Sequence, residues 1–240
     1  MKNSLLRIGR IFSTTFSVLL LLYLGLLLFP EIAFGHKKVY GPFVVYAHEP
    51  LPENLPAVLD SAQNLLKRSE FAGQKPETYP LFFCSNFLEY AFFSPSASRA
   101  FANNNALTGK IIFAKTNVEA NRVHSNVLEN NNRSLSGTIA HEVTHSQLRK
   151  AFGLRKEIQL ETWKKEGYCD AIAHESSFNS KMGLRALCSS EAPASPSFQY
   201  FKYRLYVEYL LNKEQTFIQI ANQSYNLQQL DQAVSQQHCR

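Results

Sequence analysis

Two histidines four positions apart, His141 and His145, with Glu142 between them, are the first residues of this chain whose types and spacing could do chemistry. The second group is an acidic pair, Glu166 and Asp170, in the run Trp163-Lys164-Lys165-Glu166-Gly167-Tyr168-Cys169-Asp170. In a helix, positions four apart lie on one face, so the two imidazoles converge on one point while Glu142 stands one position round. That is the pattern of a zinc site whose glutamate serves as a base. A His-Glu-x-x-His match fixes only three residues of five, and ordinary helical histidines would satisfy it. The second run adds weight. Glu166, on a separate helix, is spaced to be a third ligand, and Asp170 shares its face. There Asp170 can accept the outer N–H of a ligating histidine and fix its tautomer.

Several elements must position these groups. Ser134 or Ser136 can cap a helix over 135–152 that carries the histidines and stops near Gly153. A further helix over 156–176 holds Glu166 and Asp170. Upstream, 39–48 reads as a strand with a Gly-Pro interruption, 57–71 as an amphipathic helix, 79–84 as a buried strand, and 87–93 as either helix or strand. The polar Asn103-Asn104-Asn105 then gives way to a strand over 108–114, expected at a sheet edge where it could hold an extended substrate by backbone hydrogen bonds. Asn126 to Arg133 reads as a polar loop. Downstream come a small-residue connector over 189–197, a tyrosine-rich helix over 198–211, and polar amphipathic helices over 215–236. The fold class expected is α+β, with a small N-terminal mixed sheet and a mostly helical C-terminal half carrying the site.

With 45% hydrophobic and 18% charged residues, the chain has the composition of a globular protein rather than a disordered or fibrous one. The formal charge of +6 is partly carried by Lys2, Arg7 and Arg10, ahead of an apolar run from Ile11 to Phe29. No basic cluster interleaved with aromatics marks a nucleic-acid surface. Arg149, Lys150, Arg155, Lys156, Lys164 and Lys165 alternate with Glu157, Glu161 and Glu166, which reads as a solvated helix face. The apolar run is long enough to span a bilayer, and the cations before it favour a cytoplasmic N-terminus. Residues 1–34 are therefore expected to be a basic start and signal anchor, and residues 35–240 an extracytoplasmic working domain. A cleaved signal peptide ending near Ala33-Phe34-Gly35 is the alternative. Four cysteines in an exported chain allow two disulfides; Cys169 with Cys188 and Cys84 with Cys239 is one arrangement, and buried free thiols are another.

The pair His-Glu-Val-Thr-His and Trp163-x-x-Glu166-Gly167-x-x-Asp170 resembles the gluzincin branch of zinc metallopeptidases, the thermolysin and aminopeptidase N superfamily, over about Ser134 to Ala173. The resemblance implies a zincin-like domain that binds Zn2+ through His141, His145 and Glu166, with Glu142 as general base. A peptide or protein is the implied substrate. It also points to Tyr200, or next to it Tyr203, as the tyrosine that binds the oxyanion; a core tyrosine stripe is the competing account. Two departures narrow it. No Gly-x-Met-Glu-Asn block precedes the motif, so an amine-reading aminopeptidase is not expected. Leu148 and Ala151 stand where a metzincin needs glycine and histidine. A zinc-binding envelope protein that holds a partner without cutting it is the alternative function.

Overall fold

The computed structural model describes residues 2–73, 78–127, 131, 133–189 and 192–239, with side chains described at Arg10 and from Phe12 onward. Helix α1 (Lys2–Leu28) leads through a 3-10 turn at Pro30–Ile32 into β1 (His36–Tyr40) and β2 (Phe43–Ala47). Helix α2 (Leu55–Leu66), β3 (Tyr79–Phe83), α3 (Phe87–Phe93), β4 (Ala102–Asn104) and β5 (Ile111–Phe113) follow. Three short strands, β6 (Lys115–Asn117), β7 (Arg122–His124) and β8 (Arg133–Ser134), then precede α4 (Leu135–Phe152). The remainder is helical: α5 (Leu154–Gln159), α6 (Thr162–Ala173), α7 (Ser180–Leu187), α8 (Pro196–Leu211), α9 (Phe217–Asn222) and α10 (Leu227–His238). The architecture is α+β, a small mixed sheet followed by a helical half.

The main sheet has the order β1-β2-β3-β5-β4. Its inner strands β2, β3 and β5 run parallel, in register at Val45, Leu81 and Ile111, while β1 and β4 close the two sides antiparallel. The parallel centre explains why β5 is buried at all of Ile111, Ile112 and Phe113, as a strand covered on both faces requires. Gly41, at φ +52°, turns the chain between β1 and β2, so the stretch over 39–48 is a hairpin rather than one strand. Helix α2 buries Val58, Leu59, Ala62 and Leu66 and packs against α4. The ambiguous segment over 87–93 is helical because Asn86 accepts from the Glu89 amide and the Glu89 carboxylate accepts from the Ser85 amide, satisfying N-terminal donors.

Three expectations change. The strand at 111–113 is interior, and the edge on its side of the sheet is β4, which overlaps the polar run Asn103-Asn104-Asn105 that precedes it. The helix expected over 156–176 is two, α5 and α6, parted where Leu160 and Glu161 take extended ψ values of 136° and 133°. The cysteine pairing is Cys188–Cys239, tying the end of α7 to the end of α10, while Cys84 and Cys169 are buried free thiols. The span expected from Ile11 to Phe29 falls partly outside the described side chains. Among the described residues no helix is long and apolar enough to cross a membrane. The side chains of Lys2 and Arg7 are likewise outside those described, and part of the Asn-rich loop before Arg133 lies outside the described residues.

Helices α6 and α8 pack closely at Gly167. A Cβ on Gly167 would meet the Tyr203 carbonyl and lie 2.8 Å from Val207 Cγ2. Gly167→Ala should therefore force the helices apart and cost about 1–3 kcal/mol, read as a fall of several degrees in the melting temperature. An unchanged melting temperature would show that the pair yields easily.

Candidate metal centre

Helix α4 starts where Ser134, extended at ψ 148°, accepts from the Gly137 amide at 2.9 Å, and it ends at Gly153 with φ +78°. Its middle is unusual for a buried helix, since Thr138, His141, Glu142 and Thr144 are all buried. Polar groups at such depth need partners. Thr144 donates to the Ala140 carbonyl, and the others face α6 or the cleft beside it.

From α4 and α6, three donor atoms come together. His141 Nε2 and His145 Nε2 lie 3.2 Å apart. The Oε2 atom of Glu166 lies 3.4 Å from the first and 3.6 Å from the second. Burial opposes charge on Glu166, but His145 and His141 outweigh it and hold the carboxyl well below its usual range, so it is an anion. Burial likewise opposes charge on His141, yet Asp170 and Glu166 raise its pKa to about 10. The pocket therefore attracts a cation, a proton or a metal.

Asp170 sits where the spacing placed it, its Oδ1 2.7 Å from His141 Nδ1. That contact leaves Nε2 as the nitrogen of His141 that could bind a metal. Arg133, which nothing in the sequence singled out, donates to the same Oδ1 at 2.8 Å and also faces Glu175 at 3.7 Å. Asp170 is fully buried, and Arg133 and His141 overcome that burial to keep its pKa depressed. Glu175 in turn accepts from the Ser134 amide and hydroxyl, joining this network to the cap of α4.

A second residue was missed. Glu157, taken as part of a solvated face, is 4% exposed and lies 3.8 Å from His145 Nδ1, from Arg149 Nε and from Lys165 Nζ. At that distance it is an electrostatic neighbour of the histidine rather than a hydrogen-bond partner. Lys164 is also buried, donating to the Gln223 carbonyl. The solvated reading holds at Lys150, Arg155, Lys156 and Glu161, which are exposed, and fails at Glu157 and Lys164, because alternating charge looks the same whether protein or water covers it.

Cys169 is the other donor in reach: a ligand atom from each of His141, His145 and Cys169 lies within 4.8 Å of the others. It stands three residues after Glu166, on the same side of α6. Burial, then the nearby Glu166 and Asp170 carboxylates, push its pKa well above the usual thiol value, against the thiolate that a metal needs. Glu166 lies 3.4 and 3.6 Å from the two nitrogens and is already ionised. Glu166→Ala should weaken metal binding on the order of 100-fold, matching the upper end of what lost outer partners cost, whereas Cys169→Ser should leave it within a few-fold. Titration against a chromogenic chelator reads both, and the reverse ranking would make Cys169 the third ligand.

The three donors and Glu142 open onto a cleft of about 770 Å³, lined also by Ala102, Asn103 and Asn104 of β4 and by Tyr200. Asn104 ties strand to helix, donating to the Glu142 carbonyl at 2.6 Å and to Ser146 at 2.8 Å, while accepting from Arg149 at 3.1 Å. Ser195 caps α8, which puts Tyr200 in its first turns at the cleft wall. Burial and the charges of Glu166 and Asp170 raise the Tyr200 pKa to about 12, so its phenol keeps its proton. Tyr203 packs against the core, its ring centroid 5.8 Å from that of Tyr200, and is not among the lining residues. Comparison with protein-family models gives no match, and comparison with curated proteins finds no similar sequence.

Proposed function

We propose that this chain is a zinc-dependent metallopeptidase of gluzincin type with a zincin-like domain, anchored to a membrane through α1 and working outside the cytoplasm. The observation that carries the reading is the triangle of donor atoms with edges of 3.2, 3.4 and 3.6 Å. Tetrahedral zinc with ligands at about 2.0–2.1 Å needs ligand separations of about 3.3–3.4 Å. Two imidazoles and an ionised carboxylate are a donor set zinc accepts, and three protein ligands leave one position open. His141, His145 and Glu166 would hold the ion.

When bound, zinc supplies a Lewis acid for the scissile carbonyl and brings water into the range where it ionises near neutrality. Glu142, on the same cleft, takes the proton from water and passes it to the leaving amine. Tyr200, protonated at neutral pH, donates to the carbonyl oxygen as charge gathers there, a contribution of about 3 kcal/mol in comparable sites. Among the described residues no strand pairs with the outer edge of β4, which leaves it open to an extended peptide. The apolar anchor is supported by Phe12, Phe16, Leu19, Leu21 and Leu22, all at least 60% exposed on α1 and too many to leave in water. No nucleic-acid partner is proposed.

The test is stoichiometric metal analysis of the detergent-purified chain, followed by cleavage of an unfolded protein. One zinc per chain, with cleavage lost to a chelator and restored by zinc, is expected. Zinc without cleavage would favour the partner-binding alternative, and absence of metal would remove both.

A further inference from the structure

Five large apolar side chains stand out on the body close to where α1 enters it. Phe29 is 60% exposed, Ile32 79%, Leu88 85%, Phe92 42% and Leu107 85%. They come from three segments joined at one place. Tyr23 of α1 donates to the Phe92 carbonyl at 2.9 Å, and the two rings pack edge to face with centroids 5.0 Å apart. Leu88 precedes Phe92 by four residues on α3, so both share its outer face. On the other side, Lys110 donates to the Leu28 carbonyl at 2.6 Å, pairs with Glu31 and lies over the Phe29 ring. The turn that ends at Lys110 carries Leu107 at its tip. Asn105 accepts from the Leu107 and Thr108 amides, and Gly109 closes the turn at φ +69°, so Leu107 is held out by a built loop.

We propose that this face seats on the lipid bilayer, and that the cleft behind it takes polypeptide segments as they emerge from the membrane. The proposal rests on the anchor and peptidase readings above. Its physical basis is depth. Tyr23 lies five residues before the end of α1, so α3 runs beside a stretch about 7–8 Å long at 1.5 Å per residue. If the apolar part of α1 is in lipid, Leu88 and Phe92 reach the headgroup level, the depth at which amphipathic surfaces bury their apolar side and tyrosines gather. A soluble partner would have to displace the lipid already surrounding the helix.

The substrate class follows from continuity. Ala106, next to Leu107, lines the cleft, and β4, which lines the same cleft as the three donors, leads into the same turn. An extended chain pairing with β4 would therefore have one end directed at the bilayer surface.

The test reconstitutes the full chain, as Leu107→Trp, into phosphatidylcholine vesicles with or without lipids brominated near the headgroup end of the acyl chain. Trp163, 3% exposed in the core, is the built-in reference. Quenching of the residue-107 emission by more than half, with Trp163 unaffected, is expected. If the chain floats with vesicles but residue 107 is not quenched, the seated face is wrong and the anchor stands. If the chain does not float, the anchor fails and the proposal with it. A second arm compares one peptide free in solution and tethered to lipid. Leu88→Glu with Leu107→Glu should cut hydrolysis of the tethered peptide at least 10-fold and leave that of the free peptide unchanged. Equal loss on both would overturn the substrate assignment, and no hydrolysis of either by the parent chain would instead overturn the peptidase reading.

Discussion

Glu142→Gln should lose about 10²–10⁴-fold in kcat/KM on an unfolded protein substrate while still holding one zinc per chain. The size is that of a missing general acid–base. The substitution keeps the shape of the side chain while removing its charge and its capacity to accept a proton. It also keeps the backbone carbonyl that accepts from Asn104, so the seam between β4 and α4 survives. Glu142 supplies none of the three donor atoms, whose mutual distances involve His141, His145 and Glu166 alone. Metal content and hydrolysis should therefore separate cleanly. A variant that retained activity within a few-fold would take the base role from Glu142; one that lost its zinc would show that the carboxylate supports the ligands.

The helical half of the molecule was legible because its signals are local. Ser134 and Gly153 bound α4 as a cap and a stop do in any helix, and the His-Glu-x-x-His spacing needs only helical geometry to bring two nitrogens together. Glu166 and Asp170 follow from the same periodicity on α6. What could not be read depends on contacts far apart in sequence. The polar run Asn103-Asn104-Asn105 carries no strand signal, because Asn is depleted in strands. It starts as an edge strand because β5 pairs with one side of it and the cleft, which wants polar groups, takes the other. Arg133 follows a polar loop with no periodicity to mark it, and its importance comes wholly from Asp170 being fully buried opposite it. Likewise the disulfide joins Cys188 to Cys239, 51 residues apart, a pairing that depends on where α10 packs.

Arg133→Met should be the most destabilising single change near the site, at about 3–5 kcal/mol, a fall on the order of 10 °C in melting temperature for a domain of this size. Arg133 is 7% exposed and Asp170 fully buried, so removing the guanidinium leaves a buried carboxylate facing His141 alone. Had this been a surface pair, the effect would be under about 1 kcal/mol. Asp170→Ala should be costly in the same way, and should also weaken zinc binding about 10- to 100-fold, because His141 loses the acceptor that orients its ring. The double change Arg133→Met with Asp170→Leu separates the two contributions. Replacing both charges by apolar groups removes the unpaired ion, so much of the stability should return, whereas the zinc affinity should stay low because Nδ1 of His141 still has no acceptor. Thermal melting with and without zinc, set beside a chelator titration, reads both. Recovery of stability and affinity together would mean that Asp170 serves only to neutralise Arg133; recovery of neither would mean that the network is needed for the packing of α6 against α4.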